Sequence, residues 1–358
     1  MIILDLMGYQ LIFYLEKESK RGITMKKTTS NITIIGTGAY GTVLANVLTD
    51  NDHQVIMYGI DETEIVDINN NHLNSKFFGD LKINREIRAT NNLHEALEDA
   101  EYIILSVPVV ALKTVIAKIN TTLTKPAVFI NVAKGLDPDT HEVLSKSIPT
   151  LIKPELLIAY GGLYGPSIAK EVLLRKPTCI MAVSENLAVA QAIRELFHNE
   201  YFVTFAGQDV IGAEYGVALK NAVAIASGIF NGLHSSDNAK ASLITMGLNE
   251  IKIFALKKGA KIETFLNFAG LADLILTATS VKSRNYSLGF EIGQADDAKS
   301  VLATHAKTVE GVLTCKTIYL EAEKHHLKLP LFNGLYDILY NNKRPSAIIN
   351  SIFQKAII

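Results

Sequence analysis

Only two cysteines, Cys179 and Cys315, occur in 358 residues, and they lie far apart in the chain. That excludes a disulfide framework and a cysteine metal cluster, and it points to a reducing, cytoplasmic setting. An excess of one charge is missing too: 35 Lys and Arg stand against 36 Asp and Glu, a formal net charge of −1. This balance gives no electrostatic case for nucleic acid or an acidic membrane surface, so any bound anion must be met by local positive charge. No window holds the roughly 18 uninterrupted apolar residues of a membrane-spanning helix. His53, His198, His325 and His326 have no metal-ligand spacing; they read as exposed helix residues, and no metal is expected.

What is present is a globular composition, 48% hydrophobic, with enough length for two domains and developed cores. The opening stretch "MIILDLMGYQLIFYLEKESKRGITM" lacks a basic leading region, carries Asp5 within its apolar run and has no small-residue cleavage site. It is a poor signal peptide, and residues 1–25 read as an extension outside the fold. "NITII", "HQVIMYG", "AEYIILSVP", "AVFINVAKG", "LIAYGGLYGPS", "PTCIMAVS" and "YFVTFAG" read as strands, with helical stretches between several of them. Strands apolar on both faces that alternate with helices predict a doubly wound, mostly parallel α/β sheet. After about Gly207 the strand pattern stops, and helices are expected over 212–234, 238–258, 262–278, 296–326 and 344–356, with another in "LPLFNGLYDILYNNKRP". The predicted domains are therefore 26–207, α/β, and 208–358, all-α.

"GTGAYG" contributes Gly36, Gly38, Ala39, Tyr40 and Gly41 in the G-x-G-x-x-G spacing, directly after a strand and at the start of a helix. In that context the first glycine makes the tight turn, the second admits a pyrophosphate and the third lets helix and strand pack closely. The helix N-terminus then offers unpaired N–H groups to the phosphates. Asp61, about twenty residues on, stands where an acid bonds the adenosine ribose, although a helix cap is an equally natural role for it. "MYGIDETE" holds no Lys or Arg to meet a 2′-phosphate; NAD is favoured over NADP on that ground, and either remains the expected cofactor.

"GVALKNAVAIASGIF" holds a single charge, Lys220, within an apolar helix. Burying an ammonium costs several kcal/mol, roughly, unless it is paired or its pKa falls. Snorkelling is the plain explanation; a reactive lysine is the other.

Eight collinear segments, "GTGAYGTVLA", "NVAKGLD", "YGPSIAKE", "ALKNAVAIASGI", "DNAKASLITMGLNE", "GLADLILTATSVKSRN", "TVEG" and "LPLFNGLYDILYNN", resemble the bacterial-type NAD(P)-dependent glycerol-3-phosphate dehydrogenases. The resemblance implies an N-terminal Rossmann-type domain and an all-helical C-terminal domain. It also implies interconversion of dihydroxyacetone phosphate and sn-glycerol 3-phosphate for phospholipid synthesis in the cytoplasm. A homodimer is expected, with no nucleic-acid partner. The matching positions make Lys220 the catalytic lysine, Lys134 a lysine near both nicotinamide and substrate, and Asp273 an acid beside Lys220. They make Gly165 and Ser167 substrate contacts, Ala169 and Glu310 cofactor contacts, and Tyr40 the aromatic residue of the glycine loop. Ser283, Arg284 and Asn285 correspond to the substrate-phosphate site, with Arg284 also near the cofactor.

Ketone reduction needs a hydride, an acid for the developing alkoxide and a grip on the rest of the substrate. Lys220 reads as the acid and base, Lys134 as a second positive charge, and Asp273 as the partner that opposes their mutual pKa depression. Asn221 is a candidate orienting partner for Lys220 and a substrate contact. The chain departs from the family pattern at Ile60, where His or Arg is usual, in "VPVV", and at Tyr164, where a small residue is usual. A related two-domain reductase of another small ketone or hydroxy acid, or a catalytically silent dinucleotide sensor, is the competing expectation.

Overall fold

In the central strands of this protein, successive residues enter different cores. Ile104 joins one apolar cluster, while its neighbours Ile103 and Leu105 join another on the opposite sheet face. Such strands are stable only with helices on both sides, and a computed structural model has this architecture. It describes residues 29–304 and 309–355, so the extension expected at 1–25 lies outside the described residues.

The sheet has eight strands: β1 (Asn31–Ile35), β2 (Gln54–Tyr58), β3 (Arg88–Thr90), β4 (Tyr102–Leu105), β5 (Ala127–Asn131), β6 (Leu157–Tyr164), β7 (Thr178–Val183) and β8 (Phe202–Gly207). Their order is β3-β2-β1-β4-β5-β6-β7-β8. Every neighbouring pair is parallel except β6 and β7, where Gly162 faces Val183 in an antiparallel register. The three-residue β3 was not foreseen; it is too short for a periodic signal. The helices of this half are α1 (Ala39–Asp50), α2 (Glu62–Val66), α3 (Ser75–Phe78), α4 (Leu93–Leu97), α5 (Val109–Thr122), α6 (Leu144–Leu151), α7 (Ala169–Leu173) and α8 (Leu187–Phe197). The strand order reverses at β1, which leaves a crevice at the carboxyl ends of β1 and β4, where ligands bind in such sheets. His53 is a correction: it is buried, 5% exposed, in the turn between α1 and β2.

From Val210 onward the described residues contain no strand. The helices are α9 (Val210–Gly232), α10 (Asp237–Lys257), α11 (Asp273–Thr279), α12 (Arg284–Ala295), α13 (Ala298–Thr304), α14 (Glu310–Lys324), α15 (Pro330–Tyr340) and α16 (Pro345–Gln354). Helix α9 is apolar on all sides and buried along nearly its whole length, as a central helix must be. Its N-cap, Asp209, accepts from the Gly212 amide at 2.9 Å. The next turn carries Glu214, a buried carboxylate that accepts from the Ser145 amide at 2.8 Å and from the Tyr160 and Tyr164 hydroxyls at 2.9 and 2.8 Å. These bonds fasten α9 to the sheet and so fix the height of Lys220. They also account for the unusual Tyr164. From Asn31 onward the described residues cluster as one compact unit.

Two of the expected helices differ in the structure. The one expected over 262–278 is interrupted by Asn267, whose side chain accepts from the Ala269 and Gly270 amides and caps a new start. Helix α12 was not foreseen, because "NYSLGFEIGQ" carries two glycines and little overall hydrophobicity. It forms against α9: a Cβ on Gly289 would sit 2.0 Å from the Ile225 carbonyl oxygen, so the two backbones cross in close contact. The expected run over 296–326 is seen as α13 and α14, with residues 305–308 outside those described. Glu250 on α10, 1% exposed, accepts from the Leu331 and Phe332 amides at 2.7 and 3.1 Å and caps α15.

Candidate active site

The glycine loop between β1 and α1 has the shape a dinucleotide requires. Gly36 has φ +119°, and a Cβ there would lie 2.4 Å from the Ser106 carbonyl oxygen; at Gly41 one would lie 2.4 Å from the Gly36 oxygen. Gly38 is the N-cap of α1 with no side-chain cap, and the space in front of it is open to 4 Å. The Thr42 amide, bonded to the Gly38 oxygen at 3.0 Å, begins the helical ladder. The amides of Ala39, Tyr40 and Gly41 ahead of it lack a partner within the helix. An uncapped helix N-terminus facing open space fits a pyrophosphate. Ala39, Tyr40 and Ala169 pack against the same sheet-face core, which sets α7 beside α1.

Around the corner of the crevice, three charged side chains converge. Lys220, on α9, is 4% exposed, and its ammonium lies 2.5 Å from one oxygen of Asp273. Lys134, three residues past β5, holds the other Asp273 oxygen at 3.0 Å and donates to the Gly165 carbonyl at 2.8 Å. Asp273 opens α11 and is 1% exposed. Lys220 also donates to the Thr277 hydroxyl at 2.9 Å, and that hydroxyl donates to the Asp273 carbonyl one helical turn back at 2.6 Å. Thr277 carried no distinguishing signal except its spacing of four from Asp273, which places both on one helix face.

The electrostatics separate the two lysines. Burial lowers Lys220 most, the Asp273 carboxylate opposes, Lys134 adds repulsion, and the outcome is an ammonium pulled down to about 7. Lys134 also feels burial, but Asp273 and then Tyr40 more than offset it and hold Lys134 above the ordinary lysine value. Near neutral pH one lysine is poised to exchange a proton and the other stays charged. Two ammoniums share one carboxylate, so the cluster carries a surplus positive charge toward the crevice.

The remaining residues frame this cluster. Ser167 donates to the Tyr40 hydroxyl at 3.1 Å, which joins the loop after β6 to the glycine loop. Asn221 does not orient Lys220 as expected: its amide points to Glu310 at 3.4 Å, and Thr277 takes the orienting place. Glu310, in the first turn of α14, has a carboxyl raised by burial, with Arg284, Lys220 and Lys134 opposing. Ser283 is the N-cap of α12, accepting from the Tyr286 amide at 3.4 Å, and the exposed Arg284 follows it at the helix start. Asn285 is turned inward, where its carbonyl oxygen accepts from the Gly311 amide at 3.0 Å. The helix N-terminus and the exposed Arg284 guanidinium bring local positive charge together in a chain without net positive charge.

At the far end of the crevice, Asp61 caps α2, accepting from the Thr63 and Glu64 amides at 3.0 and 3.4 Å. The absence of a basic residue there, inferred from "MYGIDETE", does not hold in three dimensions. Lys76, fifteen residues on, brings its ammonium to 2.9 Å from Asp61 and 2.6 Å from Glu64. Nothing local to Asp61 in the sequence announced it.

Comparison with known proteins agrees with this layout. The family model described as NAD-dependent glycerol-3-phosphate dehydrogenase N-terminus matches residues 31–190, and its C-terminus counterpart matches residues 209–350. A protein of Mesoplasma florum named glycerol-3-phosphate dehydrogenase [NAD(P)+] is 49% identical over 325 residues, 90% of this chain and 97% of that protein. One of the same name from an Exiguobacterium species is 40% identical over 91% of this chain and 96% of its own length. The crystal structure of glycerol-3-phosphate dehydrogenase from Coxiella burnetii superposes with a TM-score of 0.82 at 28% identity, covering 91% of this chain and 99% of that one.

Proposed function

The chain belongs to the NAD-dependent glycerol-3-phosphate dehydrogenase family, and from that premise we propose that Lys220 is its proton donor and acceptor, Asp273 the shared counter-ion and Lys134 a fixed positive charge. The protein is an NAD(P)-dependent oxidoreductase that interconverts dihydroxyacetone phosphate and sn-glycerol 3-phosphate. The observation that carries the residue roles is the Asp273 carboxylate held between two lysines at 2.5 and 3.0 Å beside the crevice.

A reduced nicotinamide, when bound, supplies the hydride. Gly36, Gly38, Ala39, Tyr40 and Gly41 would hold its pyrophosphate, with Ala169 and Glu310 along the crevice. Lys220 gives a proton to the ketone oxygen as negative charge gathers there, and in the reverse direction its neutral amine takes the hydroxyl proton. Lys134 stays protonated and stabilises the same oxygen electrostatically. Asp273 keeps both ammoniums in place; removing one partner from such a buried pair costs ~3–5 kcal/mol. Arg284, with Ser283 and Asn285 at the start of α12, binds the substrate phosphate, and Gly165 and Ser167 border the reacting end. Asn221 acts through Glu310 rather than on Lys220.

The same reading divides the chain at 26–207 and 208–358, places the enzyme in the cytoplasm as a homodimer, and makes its product a phospholipid precursor. Both cysteines are free, and no helix among the described residues is long and apolar enough to cross a membrane. Sedimentation tests the dimer. Following NADH and NADPH absorbance with dihydroxyacetone phosphate, then with unphosphorylated dihydroxyacetone, tests the reaction. Fast oxidation with the phosphorylated ketone and only slow oxidation with the unphosphorylated one is expected; equal rates on both would refute the phosphate site, and no oxidation with either cofactor would refute the activity.

A further inference from the structure

Glu214 lies on α9 six residues before Lys220 and takes no part in the chemistry above, yet three donors converge on it. They are the Ser145 amide at 2.8 Å, the Tyr160 hydroxyl at 2.9 Å and the Tyr164 hydroxyl at 2.8 Å. An ionised carboxylate only accepts, so the Tyr164 proton points to Glu214 and the phenol oxygen is left to accept in turn. It accepts from the Asn131 amide nitrogen at 2.8 Å. The orientation of Asn131 is thereby set, and the rest of its side chain clasps the turn that follows β5. Its oxygen accepts from the Ala133 amide at 3.1 Å, and its nitrogen also donates to the Ala133 carbonyl at 3.2 Å. Lys134 is the next residue. Glu214, Tyr164 and Asn131 are all buried, which strengthens each bond and makes a missing partner costly. Tyr164 also reaches Lys134 by a second route. It directly precedes Gly165, at φ +152°, whose carbonyl accepts from the Lys134 ammonium at 2.8 Å. The phenol ring lies over Gly162, where any Cβ would collide with it.

We propose that Tyr164, anchored by Glu214 and relayed through Asn131, is a positioning residue that holds Lys134 on Asp273 and so fixes the spacing of the two active-site lysines. The proposal rests on the roles given above to Lys220 and Lys134. Because Glu214 belongs to the helix of Lys220, one buried carboxylate sets the place of both lysines. Among the described residues, the charged groups that act on Lys220 are Asp273 from α11, Lys134 from the turn after β5, and Glu310 from α14. Glu310 in turn faces Arg284 on α12, and Lys134 faces Tyr40 of the glycine loop. Of these groups, Lys134 is the one that the Tyr164 chain places. When Lys134 loosens from Asp273, its repulsion of Lys220 weakens and the carboxylate serves Lys220 alone. Both changes raise the proton affinity of Lys220.

The test is the pH dependence of kcat and kcat/KM for reduction of dihydroxyacetone phosphate, with thermal melting alongside. It compares the natural protein with Tyr164→Phe, Asn131→Ala and Tyr160→Phe. Tyr164→Phe keeps the ring and deletes the hydroxyl, which breaks the chain at its middle. Tyr160→Phe takes a similar hydroxyl from Glu214 without touching Asn131, and so separates positioning from stability. Tyr164→Phe should lower kcat about tenfold and leave the KM for dihydroxyacetone phosphate within about twofold. It should also move the fall of reduction near pH 7 upward by about half a unit or more. Asn131→Ala breaks the same chain at its far end and should give the same shift, so the answer does not depend on one variant folding. Tyr160→Phe should melt at a lower temperature and keep the natural profile. A natural profile in Tyr164→Phe or Asn131→Ala, or an equal shift in Tyr160→Phe, would overturn the proposal and leave the role of Lys220 standing. A natural protein whose reduction does not fall near pH 7 would remove that role and the proposal together.

Discussion

Lys220 and Asp273 are separated by more than fifty residues and meet at 2.5 Å in a place where both are almost wholly buried, 4% and 1% exposed. Lys220 comes from the middle of a long, mostly apolar helix, and Asp273 is the first residue of α11, one turn after Asn267 caps a new helical start. The pairing keeps an ammonium in a dry cleft while burial and Lys134 pull its proton affinity down toward neutrality. The consequences are measurable.

Asp273→Asn removes the negative charge that holds Lys220 up. The sign follows directly: without the carboxylate, burial and Lys134 act unopposed, and Lys220 falls below about 7. Less of it is protonated at neutral pH, so ketone reduction should drop about 100-fold, with the reduction optimum displaced to acid. A variant with unchanged rate and pH profile would show that Asp273 has no such role.

Arg284→Ala should raise the KM for dihydroxyacetone phosphate about 10–100-fold, the loss expected for a charged hydrogen-bonding group of roughly 1.5–3 kcal/mol. The slow turnover of unphosphorylated dihydroxyacetone should not change. Comparing the two ketones in the variant reads the effect, and an equal loss on both would move Arg284 away from the phosphate.

Much of this arrangement was legible in the chain. "GTGAYG" after a β-branched run announces the crevice, and a lone lysine in "GVALKNAVAIASGIF" demands an explanation wherever the helix packs. Strands apolar on both faces forecast the covered sheet. Features created by tertiary proximity were not legible. Lys76 is unremarked in sequence and becomes the counter-ion of Asp61 only when α3 folds back on α2. Helix α12 has little overall hydrophobicity, and its glycines make sense only against the backbone of α9. The bond between Asn221 and Glu310 spans 89 positions, and adjacency to Lys220 suggested a different partner.

Glu250 gives the fold a pH dependence separate from catalysis. Burial pushes its carboxyl from an ordinary 4.5 up to about 7, with the Leu331 and Phe332 amides opposing. Because the folded value is the higher one, the stability this group contributes is full below about 4.5 and is lost as pH rises through about 7. Thermal melting of the natural protein and of Glu250→Gln at about pH 5 and about pH 8 should show the variant gaining relative stability at the higher pH, on the order of 2 kcal/mol. Parallel behaviour at the two pH values would contradict this.

The most direct test of the account is the pH dependence of kcat/KM in both directions, measured on the natural protein and on Lys220→Met. With Lys220 near 7, reduction of dihydroxyacetone phosphate should fall as pH rises through about 7, while oxidation of sn-glycerol 3-phosphate should rise through the same value. Lys220→Met should lose about a thousandfold in both directions while still enhancing NADH fluorescence on binding. Mirror-image profiles that vanish in the variant are the predicted result; a variant that retains turnover with the same two profiles would contradict the assignment of Lys220.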